Sequence, residues 1–413
     1  MNNKGIIVGK DKQTNEDVLW SEADRRKHMI IDGPTGSGKT SQSIIPFIAQ
    51  DLQNENIGIT LIEPKGDLAL RVNELASEYG RKAFYFDIKS KSNVIPNPLK
   101  GNIEDVINNF GMAYRTVAVD SSTFFLNIGE QLIKETITVL KAVNGEETNL
   151  VEFNKFIHNT NDYGKEMIKK FSYLTTTSAE EERKRKNTIK WFKKGYFAKK
   201  SELFKLCSDI RVMMNNLVEA YGLEEKVADK EIKEIDFEKH LEDGDVVIIS
   251  TSAGKMGAGY HLYNQLISLS FQSAVFRRKC STIESKMNAV YIEEFQMYLN
   301  SSFIHLVTQG AKYNVSLHLA TQARSMIGEG LMASDIGPIE GVEVICANIR
   351  NVIVYPGVNV SDAEYYSKRF GEVDGEAVVT VQDIIYRAFG EAICVLVKDG
   401  KLQKPIVLKN KYI

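Results

Sequence analysis

Residues 33–40 read Gly-Pro-Thr-Gly-Ser-Gly-Lys-Thr and fit the pattern Gly-x-x-x-x-Gly-Lys-Thr in full. Glycines in such a run let the backbone curl until several N–H groups converge, and converging N–H groups bind phosphate oxygens. Lys39 would reach the outer phosphates, and the Thr40 hydroxyl would be a ligand for Mg²⁺. The candidate phosphate cradle is therefore Gly33, Pro34, Thr35, Gly36, Ser37, Gly38, Lys39, Thr40 and Ser41. A cradle of this kind needs an acidic site to hold the metal and orient water. The best candidate is Ala289-Val-Tyr-Ile-Glu293-Glu294, an apolar run ending in two carboxylates. The usual arrangement has Asp first, for the metal's water shell, and Glu second, to polarise water. Glu293 takes the first place with one extra methylene, and Glu294 is the candidate general base. A third apolar run, Leu317-His-Leu-Ala320, ends in Thr321-Gln322. Gln322 either senses the γ-phosphate and its water or is a plain polar cap, and the order of strands decides which.

These residues need elements to position them. His28–Asp32 is a short apolar run ended by Gly33 and predicts a buried strand, followed by a helix over Lys39–Leu52. Ile57–Glu63 predicts a second strand, Leu68–Tyr79 a helix and Ala83–Phe86 a third strand. That alternation predicts an α/β fold with a mostly parallel central sheet. From about Gly101 to Lys205 strand-like runs disappear. Ile128–Val143 and Thr188–Leu206 have helical spacing instead. No proline occurs between Leu99 and Gly337, so long uninterrupted elements fit there. We read residues 1–99 and 206–413 as two parts of one nucleotide-binding domain, with an inserted all-α domain over 100–205. Buried runs resume at Asp245–Thr251, Ala289–Glu293, Val315–Ala320 and Asn351–Tyr355, and a last strand pair is expected at Ala392–Val397 and Pro405–Leu408.

The 413 residues are 43% hydrophobic and 26% charged, enough apolar content for a large core and incompatible with global disorder. No signal peptide and no membrane-length apolar run is visible. The four cysteines are far apart and form no disulfide framework or zinc motif. A cytoplasmic location is the expectation. The net charge of −2 hides an asymmetry: Gly164–Lys205 has thirteen Lys/Arg against five Asp/Glu, and Glu219–Asp245 has eleven acidic residues against four lysines.

In this order the motifs resemble a known family, the conjugative coupling ATPases of the TraG/TraD kind, grouped with HerA and FtsK among RecA-like motors. The resemblance runs from His28 through the Gly33–Thr40 loop to Glu63-Pro-Lys-Gly-Asp67. It continues with Asn97-Pro98-Leu99, Ile292-Glu-Glu-Phe295, Ala320-Thr-Gln322 and the segment 348–357. It covers most of the chain outside the insert. It implies a RecA-like P-loop ATPase that uses ATP and Mg²⁺, with Lys39, Glu293, Glu294 and Gln322 as catalytic groups. It implies a homo-hexamer, monomeric without DNA, whose partners are single-stranded DNA or a relaxase and the components of a type IV secretion channel. The insert resembles the family's all-α domain, which recognises cargo. Three departures stand out. Family members carry an N-terminal membrane anchor, whereas the 32 residues before Gly33 hold no span, so recruitment to the inner face of the membrane would fall to a partner. Glu293 replaces the family's Asp. An arginine common in the segment 309–312 is replaced by Ala311-Lys312, leaving Lys312, Arg324, Arg350 and Arg369 as candidates to act on a neighbouring subunit's nucleotide.

The densest basic stretch, 183–194, interleaves lysines and arginines with Trp191 and Phe192, with Tyr196 and Phe197 just beyond. Two readings fit: aromatics stacked on bases beside phosphate-neutralising cations, or a buried aromatic face with solvated charges outside. His28 is expected to be a packed core residue, and 254–259 a turn into the next helix. The rivals to DNA transfer in conjugation are a HerA/FtsK-like translocase for repair or packaging, and an ATP-switched adaptor that recruits protein cargo.

Overall fold

The computed structural model describes residues 5–87, 92–118, 121–251, 257–279, 285–332 and 337–409. Most of the expected turn at 254–259 lies outside the described residues, as does Cys280. The chain divides into two compact units, one of Met1–Ser92, Asp236–Ser252 and Phe271–Ile413, the other of Asn93–Ile235 and Ala253–Ser270. No helix among the described residues is long and apolar enough to cross a membrane.

The first unit is built on an eleven-stranded sheet. Its strands are β1 (Gly5–Asp11), β2 (Asp17–Ser21), β3 (Met29–Asp32), β4 (Ile57–Glu63), β5 (Ala83–Asp87), β6 (Val246–Ser250), β7 (Met287–Glu293), β8 (Val315–Thr321), β9 (Asn351–Val354), β10 (Glu391–Val395) and β11 (Ile406–Lys409). Their spatial order is β2-β1-β11-β10-β9-β3-β8-β7-β4-β6-β5. From β9 to β5 all neighbours are parallel, and β10, β11, β1 and β2 extend the sheet antiparallel. Every residue of β4, β7 and β8 is buried. That explains why these strands are mostly apolar along their whole length: parallel strands are covered on both faces.

A wide helical turn, Thr40–Ile44, leads from the loop into helix Ile45–Leu52, with Pro46 in its opening turn, where a missing N–H costs little. Phe47, Ile48 and Leu52 join Leu68, Val72 and Leu75 of helix Asp67–Glu78 in one cluster with the apolar side chains of β3, β4 and β7. The N-terminal hairpin β1–β2 was not anticipated from sequence. Gly-Ile-Ile-Val-Gly is short; β1 pairs with β2, from Gly5 opposite Ser21 to Lys10 opposite Asp17, and joins the sheet through β11, with Lys10 opposite Lys409. His28 lies before β3 rather than in it, with a left-handed backbone (φ +58°).

The second unit holds helices Ile103–Val117, Thr123–Asn144, Leu150–His158, Tyr163–Ser172, Ala179–Lys190, Glu202–Leu206, Ser208–Ala220 and Leu223–Ala228. It thus spans more than the 100–205 interval read from sequence. Ile210, Met214 and Leu217 bury one stripe of Ser208–Ala220, and the Arg211 carbonyl meets His158 Nε2 at 3.2 Å. A two-residue ladder pairs Val94–Ile95 with Lys233–Glu234 and closes the unit. The continuous helix expected over Thr188–Leu206 is broken. A wide turn covers Trp191–Tyr196, Lys200 takes φ +62°, and the Ser201 side chain caps a new helix by accepting from the Phe204 N–H at 2.9 Å.

Candidate functional site

The strand order puts the candidate residues on one edge of the sheet. β8 lies between β3, which feeds the glycine loop, and β7, which ends in Glu293. Thr321 is level with Asp32, and Ala320 with Glu293. Gly33, Gln322 and Glu294 therefore all follow the carboxyl ends of neighbouring parallel strands, where open α/β sheets place their ligands.

In the loop, Gly36 and Gly38 take φ +79° and +104°, a region that disfavours side chains. A methyl at Gly33 would sit 2.6 Å from Tyr355 Cβ. Tyr355 follows β9, buttresses the loop, and its hydroxyl meets Ser43 Oγ at 2.8 Å. Lys39 Nζ donates to the carbonyls of Gly33 and, at 3.1 Å, Pro34. Burial pushes the Lys39 ammonium down, against Glu294, Asp32 and Glu293, which favour its charge. Ser37 Oγ is buried in the loop with no protein partner.

Thr40 Oγ1 donates to Glu293 Oε1 at 2.7 Å. The extra methylene of Glu293 thus brings its carboxylate against the loop hydroxyl. Glu294 has a left-handed backbone, φ +51°, a conformation costing on the order of 1 kcal/mol or more for a residue with a side chain. The reversal leaves its carboxylate buried among donors. Oε1 accepts from Gln322 Nε2 at 2.5 Å and Lys65 Nζ at 3.2 Å, and Oε2 accepts from Gln296 Nε2 at 2.8 Å. Burial alone would raise the Glu294 carboxyl. The bonds from Gln322 and Gln296 and the Lys65 charge outweigh it and hold the group below its ordinary value. Gln322 also accepts from Thr35 Oγ1 at 3.0 Å, so it bridges the glycine loop and Glu294. It is a connecting residue rather than a plain strand cap.

Lys65, Gln296 and Tyr355 were given no role from sequence, although Lys65 lies in the Glu63-Pro-Lys-Gly-Asp67 turn. That turn has a physical reason. Glu63 accepts the N–H groups of Lys65 (2.7 Å) and Gly66 (2.5 Å), and Gly66 takes φ +101°. The turn thereby delivers the Lys65 ammonium to Glu294. Burial first of all pushes the Glu63 carboxyl up to about 7.

A buried network lies one layer behind. Arg25 donates to both Asp51 carboxylate oxygens at 2.6 Å, Tyr291 OH donates to Asp51 at 2.6 Å, and Arg25 Nη2 meets His318 Nε2 at 3.1 Å. Arg25 and Asp51 are fully buried. The network joins the helix after the loop to β7 and β8, two residues before Glu293 and four before Gln322. No local pattern announces it, because its members are up to 293 positions apart. His28 is indeed a core residue: Nδ1 accepts the Leu317 N–H at 3.1 Å, and burial lowers its pKa to about 4.

The candidates for action on a neighbouring subunit lie apart. Lys312 is exposed just before β8, and Arg350 just precedes β9, both at the edge opposite the glycine loop. Arg369 donates to the Ile349 carbonyl at 2.5 Å. Arg324 lies 3.3 Å over the Tyr365 ring and donates to Glu343 at 3.1 Å.

In the second unit, Phe192 and Tyr196 are fully buried, and Tyr196 OH donates to the Ile157 carbonyl at 2.8 Å. Lys184 pairs with Glu180 (2.8 Å), and Lys186 with Glu182 (3.2 Å). Arg185 turns inward to the Leu174 carbonyl and Glu182. The aromatics at 192 and 196 form core rather than a base-stacking strip.

No family model matches the chain. A stretch of 140 residues is 32% identical to a protein described as a probable ATP-dependent RNA helicase of Methanocaldococcus jannaschii, spanning 29% of this chain and about a third (36%) of that protein. Solved structures are similar over the whole chain. The plasmid coupling protein TrwB bound to a non-hydrolysable GTP analogue aligns with TM-score 0.69 at 14% identity, over 100% of this chain and 90% of that one. TrwB with ADP and Mg²⁺ gives 0.68 at 14% identity, over 100% and 91%. VirB4 of Thermoanaerobacter pseudethanolicus gives 0.56 at 13% identity, over 100% and 98%. The mostly parallel sheet, the glycine loop at its carboxyl edge and these likenesses together identify a RecA-like P-loop fold of the kind seen in the conjugative coupling protein TrwB.

Proposed function

We propose that the chain is an ATP-hydrolysing motor that couples single-stranded DNA, or a relaxase–DNA substrate, to a type IV secretion channel, working as a homo-hexamer with its helical unit recognising cargo. The observation that carries the hydrolytic reading is the convergence of Thr40 on Glu293 and of Thr35 and Glu294 on Gln322 at one sheet edge. The resemblance to coupling ATPases and the fold shared with TrwB support the transport reading.

The residues present fit nucleotide and metal. Ser37 Oγ is a buried hydroxyl of the loop without a protein partner, and the glycine loop offers convergent N–H groups. Thr40 and Glu293 supply two adjacent oxygens, the donor type that hard Mg²⁺ prefers. Mg²⁺ held there by Thr40 and Glu293 would supply positive charge to neutralise the charge developing on the phosphate oxygens. Lys39 would exchange its loop carbonyls for phosphate oxygens. Glu294, held ionised, would accept the proton of the attacking water at a carboxylate oxygen, and Gln322 would orient that water. Gln322, Gln296 and Lys65 together keep Glu294 charged. Lys312, exposed at the opposite edge, is our choice among the four cations for the group that reaches a neighbouring subunit's nucleotide.

The test is steady-state ATP hydrolysis at several protein concentrations, with and without single- or double-stranded DNA, and with Lys39→Ala as control. DNA-stimulated turnover that rises cooperatively with protein and vanishes in the variant is the expected outcome. Tight nucleotide binding with slow, DNA-indifferent turnover would overturn the motor reading in favour of the adaptor.

A further inference from the structure

We propose that Tyr386 and Phe389, in the loop between helix Val381–Ile385 and β10, form the platform on which the base of the bound nucleotide stacks. The inference rests on the nucleotide reading above. In phosphoryl transfer to water, the attacking and leaving oxygens lie roughly in line through the γ-phosphorus. Glu294 and Gln322 mark the water's side, and both follow strands on the β7–β8 side of the loop. The leaving diphosphate, with its ribose and base, must therefore extend the other way, towards β9 and β10.

On that side the first segment is the one after β9, which presses on the cradle: a methyl at Gly357 would lie 3.3 Å from Pro34 Cγ. The Gly357 N–H donates to the Ile385 carbonyl at 3.1 Å, which ties this segment to the residue before Tyr386. β10 runs antiparallel to β9, so its first residue, Glu391, lies at the same sheet edge as the glycine loop. The loop is set by its own bonds. Thr380 and Asp383 cap each other, and Arg387 Nε donates to the Asp383 carbonyl at 3.1 Å while its guanidinium faces Glu391 at 3.6 Å. Arg387 is thus turned into the loop, whereas Tyr386 is 81% and Phe389 56% exposed. The first unit's other exposed aromatic among the described residues, Tyr79 at 41%, precedes β5 and so lies at the opposite edge. Two large aromatic side chains left exposed in the loop tied to the segment that presses on the cradle offer apolar ring faces that accept any base, since every base has a π-face.

The experiment compares equilibrium affinity of the full chain for Mg-ATP and for Mg-tripolyphosphate, which has the phosphates without ribose or base. Tyr386→Ala and Phe389→Ala should each weaken ATP binding about tenfold, the scale of one lost base–aromatic stack. Tripolyphosphate affinity should be unchanged, and Tyr386→Trp should restore ATP binding. Both side chains are exposed, so their truncation removes no core packing, and circular dichroism would register misfolding. Unchanged ATP affinity in the double alanine variant, or equal loss for both ligands, overturns the platform and leaves the cradle reading standing. A parent chain that binds neither ligand overturns the cradle reading, and the platform with it.

Discussion

Charged pairs occur in both units, and they do different work. On the basic helix Ala179–Lys190, Lys184 and Glu180 are 72% and 64% exposed and one helical turn apart. Behind the glycine loop, Arg25 and Asp51 are wholly buried and come from separate elements. The exposed pairs stand out in sequence because they are dense. The buried pair does not, yet it costs more to break, because the loss of one partner strands the other charge away from water. A dense charge run therefore says less about architecture than two isolated charges that fold onto each other.

The sharpest test of the buried side is Glu294→Gln. Removing the base while keeping its shape should lower ATP turnover by about 10²- to 10⁴-fold. ATP affinity should stay within a few-fold of the parent, and turnover within tenfold of the parent would show that Glu294 is not the base. Next in size is Asp51→Asn, which leaves Arg25 buried without its countercharge. It should cost about 3–5 kcal/mol in urea unfolding; a loss under about 1 kcal/mol would erase the contrast with the basic helix.

Asp32 gives the comparison a pH axis. Burial first, then the Asp362 charge, pushes its carboxyl from 3.8 up to about 7, against the Tyr366 hydroxyl bond (2.9 Å) and Lys39. Between those two values the folded chain holds a proton that the unfolded chain has released. Its contribution is thus fully present below the unfolded value and is lost as pH rises through the folded one, by about 1.4 kcal/mol per pH unit at the steepest. Urea midpoints of Asp32→Asn across pH 4.5–7.5 should lack this fall, and a slope equal to the parent's would refute the buried-acid account.

The smallest effect is expected on the basic helix. Replacing Arg183, Lys184 and Lys186 together by Gln should leave the Tm unchanged within error, because exposed pairs one turn apart add little. If this face binds DNA, affinity and the slope of log K against log salt should both fall. Unchanged affinity and slope would mark the charges as solvation alone.

Much of the fold was legible in the sequence. The runs 28–32, 57–63 and 315–320 read as strands because most of their residues are apolar, as burial on both faces of a parallel sheet requires. The glycine loop was legible because its chemistry is local: eight consecutive residues set their own backbone and its N–H groups. The hairpin Gly5–Ser21 and the broken helix at 197–201 were not legible. One joins the sheet through β11, from the far end of the chain, and the other ends where aromatic packing and the Ser201 cap prevail over helical spacing.

By itself, then, the sequence determined the glycine loop, the two carboxylates at the end of β7 and the alternation of strand and helix, because each depends on neighbours within a few residues. Only the tertiary structure decided that β8 lies between β3 and β7, that Gln322 links Thr35 to Glu294, and that Lys65 reaches Glu294 from a different strand end. It also decided that Phe192 and Tyr196 belong to a core. Strand order and burial arise from contacts between residues tens to hundreds of positions apart, and spacing along the chain does not encode which distant surfaces meet.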